Sequence, residues 1–247
     1  MTESITASDI SVSYSGKQVV RNISFTFAPG SLIGILGPNG AGKSTLMKAM
    51  LGLIRKDSGT TQIGYKPIDK VRKTIAYVPQ RSNIDWNFPI IVKDTVLLGT
   101  YPKLGLFHRP SKADKEWAME CLKQVGMEDF ADRQIGELSG GQQQRVFLAR
   151  ALAQKADYFF LDEPFVGIDV SSEEVIIEIL RKLKDEGKTV LVVHHDLSKV
   201  KSYFDELILM NKELIDAGPV EQVFREKNMT RAYERPMTMF DDLEVQM

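Results

Sequence analysis

A glycine-rich segment carries the clearest chemical pattern in the chain. It has the spacing Gly-x-x-x-x-Gly-Lys-Ser/Thr, with an apolar run at residues 32–36 before it and a helical pattern after it. Glycines let the backbone surround an anion with inward N–H groups, and a helix N-terminus adds positive partial charge. We therefore expect a phosphate-binding loop in which Lys43 reaches the β- and γ-phosphates, Ser44 ligates Mg²⁺ and Thr45 supports the loop. Its residues are Gly37, Pro38, Asn39, Gly40, Ala41, Gly42, Lys43, Ser44 and Thr45.

A pair of carboxylates is the second chemical feature. Asp162 and Glu163 follow the apolar residues 158–161. In α/β sheets a parallel strand delivers its carboxyl end to the ligand crevice. We expect Asp162 to hold Mg²⁺ through water, and Glu163 to orient and polarise an attacking water molecule. Phosphoryl transfer depends mainly on positioning and charge neutralisation, so a few such groups can suffice.

Strands and helices must alternate to position these residues. Apolar runs at residues 32–36, 75–78, 158–161 and 189–193 predict buried strands, and helical patterns lie between them. Strands separated by helices imply a parallel sheet with covered faces. Ser171 with Glu174 three residues later predicts a capping box at the start of one such helix.

Composition excludes several classes of protein. The formal net charge of −1 argues against a broad electrostatic contact with nucleic acid. One cysteine, Cys121, rules out a disulfide within the chain and favours a reduced compartment; we expect it to be buried on a helix. Three histidines argue against a dedicated transition-metal site. The longest charge-free window, between Arg21 and Lys43, contains several glycines and prolines and is not a membrane helix.

Between the two phosphate motifs lies Leu138-Ser139-Gly140-Gly141-Gln142. Here the sequence resembles the ABC ATPases, of which this is the signature motif, and the resemblance covers roughly residues 8–222 with the motifs in the order of the family. In that family the signature of one subunit closes over ATP held by the phosphate loop of another. The resemblance implies a head-to-tail homodimer that encloses two ATP molecules, with Ser139, Gly140, Gly141 and Gln142 at the nucleotide of the partner.

The same resemblance implies roles for four other residues. Tyr14 matches the aromatic residue that stacks on adenine; the alternative is a strand-end aromatic in the core. Gln80 matches the glutamine that contacts Mg²⁺ and links the site to the helical lobe, although exposed loop glutamines are common. His195 matches the histidine that touches the γ-phosphate, which leaves its neighbour His194 as structural. Asp169 matches the acidic residue that helps to build the opposite half-site, but residues 165–168 depart from the usual Ser-Ala-Leu pattern. The implied catalytic set is Lys43, Gln80, Glu163 and His195.

The implied fold class is α/β, with a RecA-like phosphate-binding core and a mostly parallel sheet. An antiparallel β subdomain is expected at the N-terminus, where apolar residues alternate. Strand signals fade between residues 86 and 148, which predicts an inserted helical lobe. The predicted division of the single domain 1–247 is a catalytic core over 1–85 and 149–222, the signature lobe over 86–148 and a C-terminal tail over 223–247.

Three short segments narrow the resemblance to one branch of the family. Asn-Ile-Asp-Trp-Asn-Phe-Pro, Phe-Val-Gly-Ile-Asp and His-His-Asp resemble the ATPases of bacterial manganese, zinc and iron importers. The implied function is ATP hydrolysis that powers uptake of a divalent metal ion, manganese first, through separate integral membrane permease subunits. An extracytoplasmic solute-binding protein would select the cargo, and this chain would lie on the cytoplasmic face of the cell membrane.

The sequence leaves other functions open. The chain could serve an ABC transporter for a different cargo, or act on nucleic acid or ribosomes, although it has no heptad run, second cassette or basic surplus. A nucleotide-binding regulator without turnover is a third alternative, against which Glu163 argues. The apolar residues Trp86, Phe88, Ile90 and Ile91 predict either a docking site for a short permease helix or core packing of the helical lobe.

Overall fold

A computed structural model describes residues 2–104 and 108–234. The described residues of Met1–Val71 and Leu191–Met247 form one compact unit, and those of Arg72–Val190 form a second. Residues 235–247 of the predicted tail lie outside the described part.

In chain order the strands are β1 (Ile5–Tyr14), β2 (Lys17–Phe27), β3 (Leu32–Leu36), β4 (Ser58–Ile63), β5 (Lys66–Pro67), β6 (Ile75–Val78), β7 (Tyr158–Asp162), β8 (Thr189–Val193), β9 (Glu206–Asn211) and β10 (Glu213–Pro219). The α-helices are α1 (Lys43–Met50), α2 (Val92–Leu97), α3 (Lys112–Gln124), α4 (Gly140–Ala153), α5 (Val170–Asp185), α6 (Val200–Tyr203), α7 (Val220–Val223) and α8 (Glu226–Tyr233).

The first unit contains the antiparallel sheet that the N-terminal alternation predicts. Its strand order is β2-β1-β4-β5, with antiparallel pairing between neighbours. The pairing of β1 shifts between Ala7 and Ile10 and again on either side of Val12, as at β-bulges. Because of these shifts Ser11 is buried beside Ile10 and Val12, so the strict alternation of apolar and polar residues does not hold along β1.

Parallel strands of the first unit support the glycine-rich loop. β3 pairs in parallel with β9, from Ile33 opposite Glu206 to Leu36 opposite Leu209, and β9 pairs antiparallel with β10. All five residues of β3 are buried, as a continuous apolar run predicts. The Leu and Ile side chains of β3 each contribute about 1.5–3 kcal/mol when they leave water, so the strand that ends at the loop is firmly held.

The second unit contains another parallel pair, β6 with β7. Their register runs from Ile75 opposite Tyr158 to Val78 opposite Leu161. Parallel neighbours end at the same edge of a sheet, so the segments that follow these two strands begin side by side. The α/β class with mostly parallel strands and an N-terminal antiparallel sheet is confirmed. The proposed boundaries of the helical lobe and the core remain predictions.

Helices α2 to α5 all lie in the second unit. α3 begins at a capping box between Ser111 and Asp114, and Cys121 is fully buried on this helix as expected. The chain is α-helical from Val92 only to Leu97 and continues as a 3-10 helix over Leu98–Lys103. Pro102 lies in that 3-10 turn, where proline removes a backbone donor that an α-helix would need.

Candidate functional site

The glycine-rich loop of the first unit is packed directly against neighbouring backbone. Gly37 has φ 153° and Gly42 has φ 91°, conformations that L side chains rarely adopt. A Cβ at Gly37 would clash with the carbonyl oxygen of Met210, and a Cβ at Gly42 would lie 2.8 Å from the carbonyl oxygen of Val19. Glycine is therefore required at both positions, and β2 and β9 hold the loop in place.

Lys43 lies inside this loop. Its side chain is buried, and its Nζ donates hydrogen bonds to the carbonyl oxygens of Gly37 at 2.8 Å and Pro38 at 3.1 Å. Lys43 is also the first residue of α1, whose N-terminus has no side-chain cap and no acidic residue in its first turn. No acidic residue of that turn offsets the positive end of the helix dipole, an arrangement that suits phosphate.

Two ring side chains of the first unit were predicted to contact nucleotide. Tyr14 ends β1 and is 48% exposed, so its ring is not a core aromatic. His195 follows β8 and is exposed, whereas His194 is buried with its ring 5.4 Å from that of Phe204 and 6.0 Å from that of Tyr203. Of the two neighbouring histidines, only His195 is accessible to a ligand from solvent.

In the second unit Asp162 ends β7 and is fully buried. The hydroxyl of Tyr77 donates to Asp162 Oδ2 at a long 3.5 Å. Burial raises the pKa of Tyr77 well above its usual range, and the negative charge of Asp162 raises it further, so the phenol remains a donor. Sequence reasoning missed Tyr77; its signal was its place on β6, opposite Phe160 in the parallel register.

Glu163 occupies a strained turn immediately after β7. Its φ of 52° lies in the left-handed region, which is uncommon for a non-glycine residue and often marks functional positions. Gln80, two residues beyond the end of β6, donates from Nε2 to Glu163 Oε2 at 2.6 Å. The amide oxygen of Gln80 remains as an acceptor, so one side chain can contact both a carboxylate and a cation.

The signature segment forms the N-terminal end of α4. Ser139 is exposed and is the N-cap: its Oγ accepts from the Gln142 amide, while Gln142 Oε1 accepts from the Ser139 amide at 2.9 Å. The side chain of Gln142, a predicted nucleotide contact, thus caps the helix in which it lies. The hydroxyl proton of Ser139 is still available to a ligand, because the cap uses only its oxygen.

Asp169 is the N-cap of α5, so the predicted capping box of Ser171 with Glu174 is wrong. Asp169 Oδ1 accepts from the Ser171 hydroxyl at 2.6 Å and the Ser172 amide at 2.9 Å, and Oδ2 accepts from the Ser172 hydroxyl. The Ser171 hydroxyl, followed by these two Ser172 groups, holds the pKa of Asp169 well below its usual range. Asp and Ser are about equally favourable as N-cap residues, so residue type alone could not identify the start of this helix.

Gly141 in the signature packs against this cap, which leads to a prediction. A Cβ at Gly141 would clash with the Ser172 hydroxyl and lie 2.9 Å from Asp169 Oδ2. Gly141→Ala is expected to lower the free energy of unfolding by about 1–3 kcal/mol, the usual cost of overpacking, as measured by urea denaturation. Ser172→Gly in the same chain should recover part of that loss. A Gly141→Ala chain as stable as the parent would show that the contact does not restrain residue 141.

The predicted site residues thus fall into two sets. The first unit carries Tyr14, the phosphate loop and His195, and the second carries Gln80, Asp162, Glu163, the signature and Asp169. Among the described residues, no helix has the length and apolar character needed to cross a membrane.

Comparison with known proteins decides the family. The model of the ABC transporter family matches residues 20–166. The chain belongs to the ABC transporter family. It is an ATP-binding cassette of the kind that binds nucleotide and hydrolyses ATP in transporters, where such subunits work with membrane permease components.

Similar curated proteins carry names of metal transport systems. The manganese transport system ATP-binding protein MntB of Halalkalibacterium halodurans is 54% identical over 240 residues, which cover 97% of this chain and 96% of the relative. The zinc transport system ATP-binding protein TroB of Treponema pallidum is 50% identical over 225 residues, which cover 91% of this chain and 85% of the relative.

Solved ABC structures have the same fold. A chain of an ABC transporter in an inward-facing conformation aligns with a TM-score of 0.83 and 26% identity, covering 96% of this chain and 90% of that one. CbiO1 of Clostridium perfringens, part of an ABC transporter complex, aligns with a TM-score of 0.76 and 28% identity over 94% of each chain. The RecA-like fold expected for this family is therefore confirmed for this cassette.

Proposed function

We propose that this chain is the ATP-hydrolysing subunit of an importer for a divalent metal ion, with manganese as the cargo and zinc as the second candidate. The observation that carries the hydrolytic part is the Gln80–Glu163 hydrogen bond at the carboxyl ends of β6 and β7. The cargo rests on the names of relatives that are about half identical over almost the whole chain.

The nucleotide would be held by its phosphates and its base. Lys43 and the first-turn amides of α1 would bind the phosphates, because they supply positive charge that no acidic residue of that turn offsets. The exposed ring of Tyr14 would stack on adenine. His195 would donate a hydrogen bond to the γ-phosphate.

The oxygen donors of the proposed site suit Mg²⁺. The Ser44 hydroxyl, the Gln80 amide oxygen and the Asp162 carboxylate are the hard ligands that this ion prefers, and Mg²⁺ usually takes only one or two carboxylates beside substrate phosphates. Among the described residues there is no cluster of three His, Cys, Asp or Glu that could hold a metal ion. When bound, Mg²⁺ would neutralise the charge of the phosphates.

Glu163 would orient the attacking water and accept its proton as the oxygen bonds to the γ-phosphorus and the bond to the β-phosphate oxygen breaks. Gln80 would keep the carboxylate in place, since its amide already donates to Oε2.

The working unit would be a head-to-tail homodimer. Ser139 is exposed at the positive end of α4, so it can contact the nucleotide held by a second copy. Gly140 and Gly141 would bring backbone amides close to the γ-phosphate, and Gln142 and Asp169 would keep the first turns of α4 and α5 capped. Such a dimer would close on ATP and open after hydrolysis.

The partners would be integral membrane permease subunits, with an extracytoplasmic solute-binding protein that delivers the cargo. The chain would therefore lie on the cytoplasmic face of the cell membrane through its permease, and no nucleic acid would be involved. The test is metal uptake in a strain that lacks this gene. The parent gene should restore manganese accumulation and Glu163→Gln should not. Restoration of zinc alone would reassign the cargo, and restoration of neither metal would contradict metal import.

The apolar segment after Gln80 was predicted to form either a docking site for a permease helix or part of the core, and its residues differ in this respect. Trp86 packs edge-on against Phe147 with ring centroids 5.4 Å apart, and the Ile91 backbone forms a bridge with Gln134, so these residues are partly core. Phe88 is 59% exposed. Phe88 is therefore the residue of this segment that we expect to contact the permease.

Phe88→Asp is expected to abolish co-purification with the permease, because a charged side chain cannot enter an apolar socket without a large desolvation cost. ATP hydrolysis by the isolated chain should change little. Tyr65→Asp, at a 96% exposed aromatic of the first unit, is the matched control and should leave co-purification intact. Normal recovery of the permease with Phe88→Asp would remove Phe88 from the interface.

A further inference from the structure

Arg81, the neighbour of Gln80, begins a short 3-10 turn and contacts two other side chains of the second unit. Its Nε donates to Gln143 Oε1 at 3.0 Å, and its guanidinium carbon lies 5.6 Å from the centre of the Trp86 ring. The Trp86 indole nitrogen in turn donates to the Arg81 carbonyl oxygen at 3.0 Å. Trp86 therefore holds both the backbone and the side chain of Arg81.

Gln143, the acceptor, lies in the first turn of the signature helix α4. It is 3% exposed, and its Nε2 donates to the carbonyl oxygen of Ile135, in the turn that precedes the signature. Both ends of this buried amide are thus satisfied, one by Arg81 and one by the backbone. Loss of either partner would leave a buried polar atom unpaired, which is costly.

The guanidinium also lies over the first residue of α4. A Cβ on Gly140 would be only 3.2 Å from the guanidinium carbon of Arg81 and 3.1 Å from the carbonyl oxygen of Gly167. A helix N-terminus carries positive partial charge, so the helix dipole itself repels a cation there. The contacts with Gln143 and Trp86 must therefore keep Arg81 in this position.

We propose that Arg81 is a positioning residue that couples the Gln80–Glu163 pair to the signature helix. Gln80 and Arg81 are adjacent: the first contacts Glu163, and the second contacts Gln143 and the start of α4. A displacement of Gln80 toward a bound cation moves Arg81 with it, and α4 follows because its first turn holds the guanidinium. This inference deepens the proposed function and rests on the roles given there to Gln80, Glu163 and Ser139.

Arg81→Lys tests the coupling with the charge retained. Lysine has neither the Nε–H that reaches Gln143 nor a planar group to stack on Trp86. We expect kcat for ATP to fall about tenfold or more, since a misplacement of catalytic groups by about 1 Å can cost about 10²-fold. KM for ATP and the affinity for a non-hydrolysable analogue should stay close to those of the parent, whereas the thermal midpoint should fall by about 2–4 °C because the buried Gln143 Oε1 loses its donor. Arg72→Lys, at an exposed arginine of the same unit, should leave all four values unchanged.

A double-mutant cycle identifies the route of the effect. Arg81→Met and Gln143→Met should each lower kcat, and the double variant should be no slower than the slower single variant, because both remove one link. Multiplying losses in the double variant would overturn the proposal. So would a kcat for Arg81→Lys within twofold of the parent, or a parallel loss of nucleotide affinity and folding stability, which would mark a purely structural role.

Glu163→Gln, measured beside these variants, separates this inference from the proposed function. Rapid turnover by Glu163→Gln would contradict the proposed function whatever Arg81→Lys does. An inactive Glu163→Gln together with a fully active Arg81→Lys would overturn only the coupling.

Discussion

Glu163→Gln is expected to lower the single-turnover rate of ATP hydrolysis about 10²–10³-fold, within the range by which a positioned general base accelerates a reaction. Glutamine cannot accept the proton of the attacking water. It has the same size as glutamate, and its amide oxygen can still accept the bond from Gln80 Nε2, so the turn after β7 should keep its geometry. Affinity for ATP should be retained, and the ATP-bound dimer should accumulate in size-exclusion chromatography.

The matched control for this prediction is Glu178→Gln. Glu178 is exposed on α5 of the same unit and also loses one negative charge in the substitution. Its turnover should equal that of the parent chain. If Glu163→Gln hydrolysed ATP within a few-fold of the parent, another group would have to take the proton, and the assignment of Glu163 would be withdrawn.

Lys43→Ala is expected to weaken ATP binding by about one to two orders of magnitude, because a hydrogen bond to a charged group contributes about 1.5–3 kcal/mol and each 1.4 kcal/mol changes affinity tenfold. The substitution also removes the donor to the carbonyl oxygens of Gly37 and Pro38, so the loop loses an internal contact. Isothermal titration with a non-hydrolysable ATP analogue measures this loss.

Lys48→Ala provides the comparison for Lys43→Ala. Lys48 lies on the same helix, α1, in its last turn, away from the phosphate loop. Its substitution removes the same charge and should leave affinity for the analogue within about twofold, since Lys48 lies in the last turn of α1 whereas the loop precedes the first turn. Unchanged binding by Lys43→Ala, with the chain folded, would mean that the nucleotide lies elsewhere.

The chain's own sequence was enough to define its buried strands and its phosphate loop. The apolar runs gave the bounds of β3, β6 and β8 because a strand buried on both faces needs no polar position. The loop before Lys43 could also be predicted, because its glycines adopt positive φ values that few other residues tolerate. Both features depend on the residues of a single short segment, so they can be predicted from that segment alone.

Tertiary structure alone decided which of these segments meet. Gln80 reaches Glu163 only through the parallel register of β6 and β7, and Arg81 reaches Gln143 only because the loop after β6 packs on α4. The choice of Asp169 over Ser171 as a helix cap was likewise made in the folded chain. Local patterns cannot specify such pairings, because register and side-chain partners depend on packing between residues far apart in the sequence.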